Sequence, residues 1–329
     1  MIGLLGSGSW ATAIVEILLQ DTTRTLYWWV REHDIIEGLL SERHNPTYLS
    51  EVQLDTTRIH ITSDLRDVVE HSDDLFLVVP SAFLADALET LPAGILQGKR
   101  LHTATKGIIP KCNQIVTDYL HFTHGIAPGH MTAISGPSHA EETARHKLTY
   151  LTVASPNRAL AQKVQDYMSC SFVRTTYCND MQGIEYGAVM KNIYAIAVGI
   201  CHGLGYGDNL IAVLIANAMR EMDTFVQCYV PHDGRQMMEY AYLGDLLVTC
   251  YSQFSRNRTF GNMIGHGYSV QGAQLEMNMI AEGYYAVACV EQMRQNMDLH
   301  MPIEEAVYRI LYNHASAATT MNVVTQNMN

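Results

Sequence analysis

Four apolar residues, Ile2 to Leu5, run directly into Gly6-Ser-Gly8-Ser-Trp-Ala11. The ATAIVEILLQ stretch from Ala11 has helical periodicity, and Leu26 to Val30 returns to a strand pattern. That order is a β-α-β unit, and it narrows the fold to a mostly parallel sheet with helices packed on it. Gly6 permits the tight turn, Gly8 lets backbone approach a pyrophosphate, and Ala11 in the third position still allows close helix-to-strand packing. The helix N-terminus then offers amides to phosphate. A purely structural glycine turn uses the same letters, but the placement after a strand and before a helix favours a dinucleotide site. In the NAD-selective form of this unit an acidic residue ends the second strand, whereas here the strand runs into Arg31 and then Glu32. Arg31 suits a 2′-phosphate and Glu32 a hydroxyl. NADP is therefore at least as well supported as NAD, and Arg31 as an ordinary solvated loop residue remains a third reading.

With 48% hydrophobic and 16% charged residues in 329, the chain has enough apolar material for about two cored domains. The net charge of −12 argues against nucleic acid or an anionic membrane as partner, so any anionic ligand must sit in a local basic pocket. Seven cysteines without a C-x-x-C suggest neither a disulfide framework nor zinc, and a reducing cytoplasm fits best. The apolar N-terminal residues lack the basic flank of a signal peptide and read as a buried strand and helix start. The run Ile193 to Gly205 is too short and glycine-interrupted to cross a bilayer.

Residues 74–80, 100–108, 131–135, 150–155 and 171–177 continue the strand pattern, and helical patterns dominate after about residue 180. The expectation is an α/β Rossmann-like N-terminal domain, 1–180, followed by an all-α domain, 181–329, with the site in the cleft between them. Lys106 follows a strand, where open α/β sheets bind ligands, although a solvated lysine there is equally consistent. Gly136-Pro-Ser138 is a turn that opens a helix and presents amides. His121 and His124 lack metal-ligand partners and read as helix-end histidines; Gly203-Leu-Gly-Tyr-Gly207 lacks a Walker lysine and reads as a helix break. Lys191 is the only charged residue between Glu185 and Asp208. An embedded ammonium must snorkel, pair with a carboxylate or serve chemistry. Asp245, in the apolar LGDLLVT, is its natural counter-charge, with helix capping as the alternative, and Thr249 lies one helical turn further on. Asn192 adds a neutral donor. Ser255-Arg-Asn-Arg-Thr259 is the densest cluster of phosphate-type donors in this acidic chain, unless it is only a solvated basic loop.

Seven segments resemble the bacterial type of NAD(P)-dependent glycerol-3-phosphate dehydrogenase: GSGSWATAI, ATKGI (104–108), SGPSHAEE (135–142), EYGAVMKNIYAIAVGICHGLGYGDN (185–209), GDLLVTCYSQFSRNRTFG (244–261), AEGYYAV (281–287) and MPIEEAVYRIL. They run in order from end to end. The chain departs from the family at Asn217-Ala218, where a Thr-Arg-Gly type sequence is usual, and at His139, where an aromatic is common. The resemblance implies NAD(P)H-dependent, reversible reduction of dihydroxyacetone phosphate to sn-glycerol 3-phosphate, feeding glycerophospholipid synthesis, with a homodimer as the family-level expectation. It makes Lys191 the acid-base group, assisted by Lys106, Asp245 and Asn192. It assigns Ser255, Arg256 and Asn257 to substrate, with Arg256 also near the cofactor. Ser9, Trp10, Arg31, Ala140 and Glu282 join Gly6, Gly8 and Ala11 on the cofactor side, Lys106 bridges cofactor and substrate, and Gly136 and Ser138 touch substrate. No metal is implied. A related reductase acting on a hydroxyacid or sugar-acid phosphate shares the loop and the lysine-asparagine pair, and a non-catalytic dinucleotide sensor shares the fold. The SRNR cluster favours a phosphorylated substrate. Retention of Lys106, Lys191 and Asp245 favours turnover.

Overall fold

The computed structural model describes residues 1–277 and 281–328, which divide into two compact units, Met1–Ile184 and Glu185–Asn329. The first unit alternates strands and helices: β1 (Ile2–Leu5), α1 (Ser9–Leu19), β2 (Leu26–Trp29), α2 (His33–Ser41), β3 (Ile59–Thr62), α3 (Leu65–Glu70), β4 (Asp74–Leu77), α4 (Ser81–Glu89) and β5 (Arg100–Thr103). A small hairpin, β6 (Ile108–Ile109) and β7 (Gln114–Ile115), leads into α5 (Val116–His124), β8 (Met131–Ser135), α6 (Ala140–Ala144), β9 (Thr149–Ala154), α7 (Arg158–Met168) and β10 (Val173–Cys178).

These strands form one sheet in the order β10-β9-β8-β5-β4-β1-β2-β3. All its pairings are parallel except β8 with β9, whose connection holds only the short α6. The chain order reverses on either side of β1, and the glycine loop leaves the carboxyl end of that strand, the topological switch point at which such sheets take ligands. β1, β4 and β8 are buried throughout and, apart from Asp74 at the start of β4, read as apolar or small-residue runs, as strands covered on both faces must. At the opposite, amino end of β4, Asp74 accepts bonds from Arg100 (2.6 and 2.7 Å), His102 (3.1 Å), Lys163 (2.9 Å) and Tyr167 (3.2 Å). Burial opposes ionisation of Asp74, and these donors outweigh it, holding the carboxyl well below the usual range. This cluster ties β4, β5 and α7 together away from the glycine loop.

Among the described residues no strand follows Cys178. The second unit is built from α8 (Met181–Gly203), which begins at the end of the first unit, α9 (Asp208–Tyr229), α10 (Asp245–Tyr251), α11 (Arg256–Gly265), α12 (Val270–Glu276), α13 (Glu282–Met297), α14 (Pro302–Tyr312) and α15 (Ala317–Gln326). α8 is long and apolar enough to cross a bilayer, but its most apolar 18-residue window is wholly buried in protein, so it is a core helix. Glycines set its contacts. A Cβ on Gly199 would strike the Arg258 carbonyl of α11, and one on Gly261 would strike the Ile196 carbonyl of α8, so the two backbones lie in direct contact. Gly203 and Gly265 repeat the arrangement one turn on. The break expected after Gly203 is present, with Gly205 left-handed at φ +86°.

A buried acidic cluster joins α9, α13 and α14. Glu221 accepts the amides of Ile303 (2.8 Å) and Glu304 (3.2 Å), while Glu304, 0% exposed, lies 3.2 Å from Arg294 Nε with neither carboxylate oxygen in a hydrogen bond among the described residues. Burial pushes Glu221 up to about 7, and burial together with Glu291 pushes Glu304 up to about 9. The folded state therefore holds these protons more tightly than the unfolded chain. The stability they contribute is fully present below the ordinary glutamate pKa of 4.5 and is lost as pH rises through about 7 and then 9. The thermal midpoint should fall by several degrees between about pH 6 and pH 9. Glu304→Gln should flatten the upper part of that profile, and an equally steep decline in the variant would contradict this account.

Candidate active site

The glycine loop is held from three sides. Trp28 Nε1 donates to the Gly6 carbonyl (2.7 Å), Asn45 Nδ2 donates to the Ser7 carbonyl (2.9 Å) and to Thr12 Oγ1 (3.0 Å), and Gly6 lies against the Val78 backbone. Gly6 has φ +123°, and a Cβ there would lie 2.7 Å from the Val78 carbonyl oxygen, so glycine is required on both counts. Gly8 differs. Its φ of −73° suits any residue, and a Cβ there meets nothing within 4 Å, which makes it a gap in an otherwise packed loop.

Gly8 also begins α1, where no side chain caps the helix, so its positive end faces the mouth of the loop. The neighbouring Trp10 Nε1 is buried without a hydrogen-bond partner among the described residues. An open cradle at Gly8, an uncapped helix end and an orphaned indole N–H fit a pyrophosphate-bearing dinucleotide. Ser9 and Ala11 are buried in the first turn beside them. Lys106, beyond β5, joins this group: its Nζ is 3.3 Å from both the Gly136 carbonyl and Ser138 Oγ, and 5.7 Å from the centre of a Trp10 ring. Gly136, at φ +132°, turns the chain tightly against the Tyr150 carbonyl, and Ala140 opens α6 just beyond. The glycine loop, Lys106 and the turn at Gly136–Ser138, far apart in sequence, thus meet at the carboxyl ends of strands in one sheet.

In the second unit Lys191 is 4% exposed and does not snorkel; its Nζ donates to Asp245 Oδ1, and Asp245 is itself 1% exposed. Asp245 is the first residue of α10 and its side chain does not cap the helix, so of the two readings the counter-charge is the one observed. Thr249 Oγ1 bonds the Asp245 backbone carbonyl (2.6 Å) and not its carboxylate. Asn192 is buried beside Lys191, and Gly283 of α13 approaches its carbonyl so closely that a Cβ would lie 2.7 Å away. Ser255 caps α11, accepting the Arg258 amide (3.3 Å), and Asn257 Oδ1 accepts the Gly283 amide (2.9 Å). Exposed Arg256 occupies the first turn of α11, and Glu282 the first turn of α13. α8, α11 and α13 therefore carry Lys191, Arg256 and Glu282 on helices in direct backbone contact. Burial pushes the thiol of Cys250, on α10, up to about 12, leaving it a packing residue.

Sequence patterns alone did not single out Asn45. It is fully buried, accepts the amides of Thr47 (3.2 Å) and Tyr48 (3.0 Å), and spends its amide group on the glycine loop. Its only sequence signal is an Asn-Pro turn after α2.

A switch-point cradle for a dinucleotide, followed by a helical unit with a buried lysine-aspartate pair, defines a two-part dinucleotide-dependent oxidoreductase. The family models for the N-terminal and C-terminal parts of NAD-dependent glycerol-3-phosphate dehydrogenase match residues 1–161 and 180–322. Glycerol-3-phosphate dehydrogenase [NAD(P)+] 2 of Salinibacter ruber is 34% identical over 317 residues, covering 95% of this chain and 90% of that protein. The Chlorobium limicola enzyme is 33% identical over 312 residues, 94% and 93% of the two chains. The crystal structure of glycerol-3-phosphate dehydrogenase from Coxiella burnetii superposes with a TM-score of 0.90 at 30% identity, covering 99% and 98% of the two chains. The chain belongs to the NAD-dependent glycerol-3-phosphate dehydrogenase family.

The different surroundings of the two loop glycines yield a direct test. Gly8→Val should leave the thermal midpoint within about 2 °C of wild type, because the site is open, yet weaken dinucleotide binding at least about tenfold by filling the cradle. Unchanged affinity in fluorescence titration would exclude the loop as the binding site.

Proposed function

We propose that this protein reversibly reduces dihydroxyacetone phosphate to sn-glycerol 3-phosphate with NAD(P)H, in the cytoplasm, supplying the backbone of glycerophospholipids. The observation that carries the reading is the buried Lys191–Asp245 pair, a proton-bearing cation fixed in a protein interior. The dinucleotide, when bound, supplies the hydride that the carbonyl carbon accepts. Charge then develops on the former carbonyl oxygen, and Lys191 donates the proton it needs. In the oxidative direction the same amine takes the proton back. Asp245 holds the lysine in one position, with Thr249 steadying the turn that carries it, and Asn192 donates to a substrate oxygen.

The phosphate falls to Arg256, whose guanidinium makes paired hydrogen bonds to phosphate oxygens, with Asn257 and Ser255 at the same helix start. The positive end of α11 adds to that attraction. Arg256 also approaches the cofactor, as do Ala140 and Glu282. Lys106 is assigned to both cofactor and substrate; the Gly136 carbonyl and Ser138 Oγ steady its ammonium, and those two residues border the substrate.

The test is oxidation of NADH or NADPH by the purified chain with dihydroxyacetone phosphate, followed by absorbance. Lys191→Ala should lower kcat by about 10²- to 10⁴-fold while leaving dinucleotide binding intact. Arg256→Ala should chiefly raise KM for dihydroxyacetone phosphate, by more than about tenfold. Failure of the folded wild-type protein to consume either cofactor would overturn the proposed function, and an unchanged KM in the arginine variant would overturn the phosphate assignment.

A further inference from the structure

Glu32 opens α2, but its side chain does not cap that helix. The carboxylate turns back to the glycine loop instead, where Oε2 accepts a 2.6 Å hydrogen bond from Ser7 Oγ. Ser7 lies between the two loop glycines, and its backbone is pinned by the buried amide of Asn45. On the other oxygen, Oε1, Glu32 receives both Arg31 Nη2 (2.7 Å) and Arg31 Nε (3.1 Å). One carboxylate is thus tied to the loop by a serine and commits the neighbouring guanidinium to itself. Half-burial alone would raise the pKa of Glu32, but the bonds from Ser7 and Arg31 outweigh it, so the group is ionised at neutral pH.

In a sheet of this order the adenosine ribose of a bound dinucleotide lies at the end of β2, beside the loop after β1, which is where Glu32 stands. We propose that Glu32 is the residue that selects the cofactor: it accepts the ribose 2′-hydroxyl of NAD(H) and repels the 2′-phosphate of NADP(H), while Arg31 serves to position it. The inference rests on the dinucleotide reading of the glycine loop and goes beyond it by choosing between the two cofactors. A hydroxyl donates to a carboxylate already in place and disturbs neither of its existing partners. A phosphate brings like charge to a fixed anion, and it engages Arg31 only by breaking that residue's two bonds to Glu32. Without Glu32 the same guanidinium is available to phosphate, as the sequence alone suggests.

Parallel equilibrium titrations with NADH and NADPH, read by nucleotide fluorescence on the unliganded protein, test this without turnover. Wild type should bind NADH at least about tenfold more tightly than NADPH. Glu32→Gln keeps the shape and removes the charge, and it should close or reverse that gap mainly by tightening NADPH. Ser7→Ala, which unties the carboxylate from the loop, should shift the ratio in the same direction by a smaller factor. Equal or tighter binding of NADPH by wild type would overturn the proposal, as would a Glu32→Gln variant that moves both affinities together. Binding of neither nucleotide by folded wild type would remove the dinucleotide reading itself, and this inference with it.

Discussion

An ammonium and a carboxylate meet in the interior of the helical unit, and much of that unit's geometry follows from keeping them together. Each ion taken from water costs several kcal/mol, and their attraction offsets this only at close contact. α8 must therefore present Lys191 to the first turn of α10, and the π-helical turn Tyr240–Gly244 that precedes Asp245 sets how α10 begins. The glycine contacts fix the rest. With Gly199 and Gly203 against α11 and Gly283 against the Asn192 carbonyl, three helices are locked with little freedom to slide. Arg256 and Glu282 open two of those helices, so their positions are set by the same packing that holds the lysine.

The first unit solves a different problem, presenting backbone to an anion without leaving the backbone loose. Its loop is bonded at Gly6 and Ser7, wedged against Val78, and open only at Gly8. Binding to a loop already ordered in this way costs less entropy than ordering it on contact. The Asp74 network, at the amino end of β4 and away from the glycine loop, holds strands and α7 together.

The β-α-β start was legible because its signals are local: a strand, a glycine spacing and a helix within a single stretch. Lys191 was legible as an anomaly of composition, and its partnership with Asp245 as the natural remedy for that anomaly. Ser255 was read only as a donor, yet it caps α11, a role that its placement three residues before Arg258 already allowed. The spacing of Gly199 with Gly203, and of Gly261 with Gly265, is a helix-contact signal, but a single chain pattern does not say which helix is the partner. Asn45 was legible only as an Asn-Pro turn, which accounts for its local bonds to residues 47 and 48; its bonds to residues 7 and 12 exist only once the glycine loop has folded over α1. The same holds for the antiparallel turn of β9 onto β8, which no alternation of strand and helix signals reveals.

The central claim is that the buried ion pair exists for chemistry and not for stability. Replacing both members with apolar residues of similar size, Lys191→Met with Asp245→Leu, removes the two charges from the core together. Thermal unfolding of the double variant, alongside dihydroxyacetone phosphate-dependent oxidation of NADH, separates the two roles. A fold at least as stable as wild type but without turnover is the expected result. A double variant that keeps turnover, or one that fails to fold, would contradict the claim.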